Sequence, residues 1–383
     1  MTVPGTSTEQ RRDEILCTNQ KHLDDENLAF WSPHHIRRTY NEMERRSIFR
    51  EVVGHFEDPD HYQMQVQQGR ILQKSDISEA VHRRTRRSVI IKKLAKTYQK
   101  GINEAHHLRV IAEKQDEGVP DSDLIVRLLG GIREQHYDAL VLEPLGLSLE
   151  GVLRGFRGCC LNQEACKMIL RDTLKGLAFL HDVVGIVHRD IKPSNICMTQ
   201  YNAFQAPEEE WTVHVKIIDL DSATSQTNNI NGRITCGTRG YEPPEMLLML
   251  DYDTKVDIWG AGLVAMNVSL GWLGCPFNQH SGINALHEMA AVTKEQFQQH
   301  YLKAHYDIAT AYPRVEKMVR REIRDDGWNV YSLRSREEGT SVMDEDILED
   351  LESDWRNFIK GMLRLMGSDR PSASELLEDP VMT

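Results

Sequence analysis

Asp190, Lys192 and Asn195 fall within one short run, Val187–Asn195, which reads VHRDIKPSN. A carboxylate, an ammonium group and a carboxamide at that spacing are the set that phosphoryl transfer needs. The carboxylate holds an acceptor hydroxyl, the cation meets the charge on the moving phosphate, and the amide oxygen helps to hold a metal ion. A further carboxylate, Asp219, follows the apolar segment Val215–Ile218, 24 positions beyond Asn195. Magnesium takes one or two carboxylates alongside phosphate oxygens, so Asp219 suits such an ion. The plainer reading of Asp219 is a strand-ending residue that caps a turn, and the proximity of Asn195 weighs against it.

The elements that must position these groups can be read from periodicity. Leu161–His181 carries Ala165, Ile169, Leu174, Leu177 and Leu180 at helical spacing, an amphipathic helix that delivers the chain into the run. Asp253–Trp272 is apolar on most faces and reads as a buried central helix. Upstream the text is strand-like: Ser88–Lys93 is short and β-branched, and Asp123–Ile132 and Tyr137–Glu143 read as two strands joined by a turn. Between them Gly101–Ala112 is helical, with Ala105, Leu108 and Ile111 on one face. Met343–Asp354, rich in acids, reads as a solvated helix face. Residues 1–58 are a polar extension with one aromatic cluster, Phe30-Trp31-Ser32-Pro33.

Bulk composition bounds the class. In 383 residues, 40% hydrophobic and 27% charged content is that of an ordinary globular chain. The net charge of −12 argues against bulk binding to nucleic acid or an anionic membrane. No stretch reaches the roughly 18 apolar residues of a membrane span. The seven cysteines are odd in number and form no C-x-x-C pair, which points to reduced thiols and a cytoplasmic or nuclear location.

Five motifs occur in order: H-R-D-x-K-x-x-N at 188–195, D-L-D at 219–221, C-G-T-R-G-Y-E-P-P-E-M at 236–246, V-D-I-W-G-A-G at 256–262 and D-R-P-S at 369–372. Together they resemble the eukaryotic protein kinases. The resemblance covers roughly residues 62–383 and implies an α+β, two-lobed fold. A β-rich small lobe would span 59–143, and the hinge and helical large lobe 144–383. Asp190 would be the catalytic carboxylate, Asn195 and Asp219 would hold magnesium, and Thr238 would contact Asp190 and Lys192. Glu245 would be buried and matched by Arg370, while Asp257 would hold the backbone of the catalytic loop. Arg189 would seek an anion, either phosphate on Ser222–Thr235, with Thr235 the first candidate, or an acid such as Asp221.

In the small lobe Val89-Ile90-Ile91-Lys92 resembles V-A-I-K, making Lys92 the phosphate-binding lysine, with Lys93 the alternative. Glu104 would be its partner. No G-x-G-x-x-G precedes that strand; alignment puts Gln73–Ser78 there, with Ile90 where the family has a small Ala and Ala80 where it has Val. Those two swaps roughly conserve volume. Leu142 falls at the gatekeeper, Glu143 and Leu145 would meet the adenine with their backbones, and Cys197 would line the same site. The turn His82–Arg87 is either solvated or a nuclear-localisation string. The segment between Met198 and Val215 is longer than the family usually allows.

The resemblance implies an ATP- and Mg²⁺-dependent kinase acting on Ser or Thr of a protein substrate, with no nucleic-acid or membrane partner. The alternative is a pseudokinase that keeps the fold as a binding or scaffold module. A small-molecule phosphotransferase fits less well, because Lys192 and the Pro-Pro-Glu segment suit a protein acceptor.

Overall fold

Ser88–Lys93 pairs on both edges and sits inside a six-stranded sheet, as its β-branched run requires. The computed structural model describes residues 53, 56–64, 77–94, 98–133, 138–155, 160–200, 211–226, 230, 236–272, 274, 277, 282–293, 295, 297 and 348–382. The sheet comprises β1 (Phe56–Glu57), β2 (Tyr62–Met64), β3 (Ile77–His82), β4 (Ser88–Lys93), β5 (Leu128–Arg133) and β6 (Asp138–Leu142). Their order is β1-β5-β6-β4-β3-β2, antiparallel except for β1 against β5. Helix α1 (Tyr98–Asp116) crosses between β4 and β5.

Period-two alternation divides the sheet's side chains between two faces. Tyr62, Ala80, Val89, Ile91, Ile132, Ala139 and Val141 form a small cluster on one face. Leu128, Leu140 and Leu142 on the other join Ala105, Leu108 and Ile111 of α1 and the main core.

The remainder is helical: α2 (Leu149–Gly155), α3 (Gln163–Ala178), α4 (Pro244–Leu247), α5 (Lys255–Leu270), α6 (Gly282–Thr293), α7 (Ser353–Met362) and α8 (Ala373–Leu377). Asn162 caps α3, its side chain accepting the Ala165 N–H at 2.8 Å. Beyond Ala178 the helix widens into a π-helical turn, Phe179–Val184, closed by Gly185 in the left-handed region (φ 73°). Two short ribbons follow, β7 (Ile186–Val187) with β10 (Thr224–Ser225) and β8 (Ile196–Met198) with β9 (Val215–Ile217). Helix α5 is buried along nearly its whole length, as expected from its apolar sequence. Among the described residues no helix is long and apolar enough to cross a membrane.

Two expectations are corrected. The strand read over Asp123–Ile132 begins only at Leu128, because Ser122–Leu124 forms a 3₁₀ turn. The Gln115 side chain donates to the Ser122 and Ile125 carbonyls at 3.0 and 2.9 Å, and so satisfies locally what a ladder would otherwise satisfy. The acid-rich helix read over Met343–Asp354 is a turn at Leu348–Asp350, with Leu348 buried, and helix starts only at Ser353. Residues 343–347, the aromatic cluster at 30–33, loop residues 73–76, Thr235 and segment 201–210 lie outside the described residues.

Candidate active site

The run Val187–Asn195 is held from beneath by Asp257, in the first turn of α5. Its carboxylate accepts the backbone N–H groups of His188 and Arg189, both at 2.7 Å, and contacts His181 Nε2 at 2.9 Å. Burial alone would push this carboxyl up, but the His181 bond and the neighbouring imidazoles outweigh it and hold Asp257 below the usual carboxylate range. Arg189 takes a left-handed conformation (φ 67°) that turns the chain over this anchor. Gly260, one turn along α5, lets the helix approach: a Cβ there would stand 2.7 Å from the Ile191 carbonyl.

Above the anchor, Lys192 Nζ donates to Asp190 Oδ2 at 2.7 Å and to the Thr238 hydroxyl, which in turn donates to Asp190 Oδ1 at 2.7 Å. Asn195 Nδ2 donates to the Asp190 carbonyl at 2.9 Å and to Oδ2 at 3.2 Å. With its nitrogen committed, the Asn195 amide presents its oxygen as an acceptor. His188 Nε2 lies 3.0 Å from the Ile218 carbonyl, which ties this loop to the end of β9.

Asp219 follows directly and adopts a left-handed backbone (φ 67°, ψ 69°). Lys92 Nζ reaches Asp219 Oδ1 and Glu104 Oε1, each at 2.6 Å. Of the two adjacent lysines on β4, it is Lys92 that makes these contacts. Burial would lower the Lys92 pKa, yet the two carboxylates raise it above the ordinary lysine value. Leu220 is fully buried in the main core. Asp221, which stands where the family has Gly, lies in the 3₁₀ turn Leu220–Ser222 at ordinary negative φ, so its side chain strains nothing.

Ile90 shares the face of Lys92, pairs with Leu142 across β6 and packs on the main core. Ala80 does not: it pairs with Val89 and belongs to the opposite cluster. The volume exchange expected between them is therefore corrected, because Glu79, opposite Ile90, occupies the face that Ala80 was thought to line. Cys197 alternates with Ile196 and Met198, which join the core, and its partner across the ribbon is Lys216. Burial pushes the Cys197 thiol up to about 12. Among the described residues, the Glu143 carbonyl and the backbone groups of Leu145 have no protein partner. The Glu143 side chain accepts from Lys216 Nζ and the Arg127 N–H, both at 2.8 Å, a contact that nothing in the local sequence signals.

Arg189 donates from Nε to the Ser222 carbonyl at 2.6 Å and from Nη1 to the Tyr252 hydroxyl at 3.1 Å. Both acceptors are neutral; among the described residues neither Asp221 nor any other acid pairs with it. Glu245 and Arg370 meet in a buried pair. His181 and Tyr252 were not anticipated, since each acts on residues far along the chain.

A hard carboxylate at Asp219 and an amide oxygen at Asn195 are the donor chemistry that magnesium takes. Comparison with known proteins agrees with this geometry. A family model described as the protein kinase domain matches residues 72–382. The DNA damage response protein kinase DUN1 of Saccharomyces cerevisiae is 33% identical over 172 residues, 42% of this chain and 32% of that protein. Mitogen-activated protein kinase 12 of Danio rerio is 28% identical over 256 residues, 65% of each. The chain thus spans under two thirds of either relative. A crystal structure of a kinase domain matches with a TM-score of 0.63 at 19% identity, over 85% of this chain and 96% of that one, and shares the fold.

Proposed function

Because this chain belongs to the protein kinase family, we propose that it transfers the γ-phosphoryl group of ATP to a serine or threonine hydroxyl of a protein substrate. The relatives named as protein kinases support that reading, and Thr238 against Asp190 and Lys192 supports a Ser/Thr acceptor. Asp190 orients the hydroxyl and takes its proton as the new O–P bond forms and the bond to the ADP oxygen breaks. Lys192 and Lys92 offset charge on the phosphates. Asp219 and Asn195 would hold Mg²⁺, which when bound neutralises phosphate charge. The Glu143 carbonyl and the backbone groups of Leu145, without protein partners among the described residues, are the natural contacts for the adenine edge.

The observation that carries this reading is Lys92 held between Glu104 and Asp219, at 2.6 Å from each. It places the cation against Asp219, the carboxylate that would hold the metal. One observation favours the pseudokinase alternative: Ile90 puts a branched side chain on the face of Lys92, where the family has Ala. The deciding test is phosphoryl transfer from labelled ATP–Mg²⁺ to a generic Ser/Thr protein, with Asp190→Asn as control. Activity that the control abolishes, at unchanged melting temperature, supports the kinase. Absence of both transfer and an ATP–Mg²⁺ thermal shift in the wild type assigns the fold to binding alone.

A further inference from the structure

Strand β9 alternates between two faces. Val215 and Ile217 join the main core, and Lys216 between them points the other way, alongside Cys197, its partner across the ribbon. A lysine on such a face ordinarily reaches water. Only 16% of this side chain is exposed, and its Nζ lies 2.8 Å from Glu143 Oε1, its one partner among the described residues.

The same Oε1 accepts the Arg127 N–H at 2.8 Å, while the Glu143 N–H donates to the Arg127 carbonyl at 3.1 Å. Glu143 is thus pinned to Arg127 by backbone and side chain together. Its neighbour Val126 donates its N–H to the Ile217 carbonyl at 2.9 Å. Glu143, the segment entering β5 and strand β9 therefore form one closed set of contacts, with Lys216 as the link that closes it. Strand β9 runs on directly toward Asp219. What this set leaves open on the main chain of Glu143 is its carbonyl.

We infer that Lys216 is a positioning residue for the nucleotide base: through the Glu143 carboxylate it fixes the peptide that meets adenine. The inference rests on the proposed function for the placement of adenine at Glu143 and Leu145. Adenine offers an amino donor and a ring-nitrogen acceptor, which match a carbonyl and an N–H. Guanine offers a carbonyl and a ring N–H at the same positions, and meets those groups with the wrong polarity. Without Lys216 the half-buried Glu143 carboxylate keeps the Arg127 N–H alone and turns toward water, so the peptide loses its side-chain brace. A hydrogen bond that depends on placement then weakens, and only a base that made it can lose it. ATP suffers and GTP does not.

The test titrates ribose-labelled fluorescent ATP and GTP, each with Mg²⁺, into the full chain. Lys216→Met, similar in length and uncharged, should weaken ATP binding by about tenfold and change GTP binding by less than about twofold. Lys216→Arg should return ATP binding to within about threefold of wild type, because it restores the cation beside Glu143. Lys216→Met added to Glu143→Gln should cost nothing further, as a double-mutant cycle requires of a residue that acts only through its partner. All are compared in proteins whose circular dichroism matches the wild type. Equal losses for both nucleotides, ATP binding undiminished in Lys216→Met, a full further loss in the double variant, or no nucleotide binding by the wild type overturns the inference. Phosphoryl transfer from ATP reads the underlying activity separately. An ATP preference that Lys216→Met abolishes, in a wild type without transfer, overturns the kinase reading and leaves the positioning role standing.

Discussion

Glu245 and Arg370, 125 positions apart, meet in a two-pronged ion pair: Nη1 to Oε1 at 2.6 Å and Nη2 to Oε2 at 2.8 Å. Arg370 is further fixed by the Arg364 carbonyl at 2.8 Å and the Lys255 carbonyl at 3.0 Å, and its guanidinium lies 5.0 Å from the Trp259 ring centroid. Both side chains are buried, so removing one strands the other's charge. Glu245→Ala or Arg370→Ala should each cost roughly 3–5 kcal/mol by calorimetric unfolding. Arg370→Lys should recover little, since an ammonium cannot reproduce the fork. A single alanine change that leaves the melting temperature in place would refute this account.

Lys92 gives the cleanest separation of function from folding. Lys92→Met removes the cation between Glu104 and Asp219, and phosphoryl transfer should fall by about 10²-fold or more, by analogy with loss of one preorganised charge-stabilising group. Initial rates against ATP concentration would show it; a variant within threefold of wild type excludes the role.

The anchor beneath the loop carries a pH signature. The folded pKa of Asp257 lies below its unfolded value of 3.8, so its stabilisation is complete above that pH and is lost as pH falls through the depressed folded value. Asp257→Asn should therefore lower the melting temperature at pH 7 and narrow the gap to wild type under strongly acid conditions. An equal gap across pH would contradict the assignment.

His107 acts higher on the scale. It is buried on α1, and its Nδ1 has no hydrogen-bond partner. Burial first, then the charges of His106 and Arg189, lowers its pKa from 6.5 to about 4. The neutral ring is thus favoured in the folded state, and stability worth about 3 kcal/mol above pH 6.5 is lost as pH falls toward 4. His107→Phe should flatten the melting temperature over that window. A slope unchanged by the substitution would show that other groups set it.

Arg189 supplies a fifth test. Its only described partners are neutral oxygens, so phosphate on Thr235 is expected to add charge-assisted bonds and raise activity. Thr235→Ala should lower transfer at least tenfold, with mass spectrometry locating the phosphate in active wild-type protein. Full activity of loop-unmodified protein would dismiss the idea.

Much of this arrangement was legible because the chemistry is local. Asp190, Lys192 and Asn195 share one run, and the β-branched Ser88–Lys93 announces its own strand. What was illegible depends on register and distance. Ala80 and Ile90 fall on opposite faces because strand side chains alternate, and a one-residue error in aligning β3 reverses every assignment along it. The 3₁₀ turn at Ser122–Leu124 depends on Gln115, an ordinary helix residue in the text. His181 looks like any residue near a helix end until Asp257 arrives 76 positions later.

The π-helical turn Phe179–Val184 restricts which length changes the chain can accept. A wide turn accommodates one residue more than α-helical winding would. Deleting one of these six positions would let the winding tighten to α-helical, and the chain beyond would keep about its place, because the residue removed is the extra one. What would change is the placement of His181 within the turn, and with it the 2.9 Å contact to Asp257. The wide turn is thus a place where one residue can be lost with little effect on the chain that follows, provided His181 keeps its hold on Asp257.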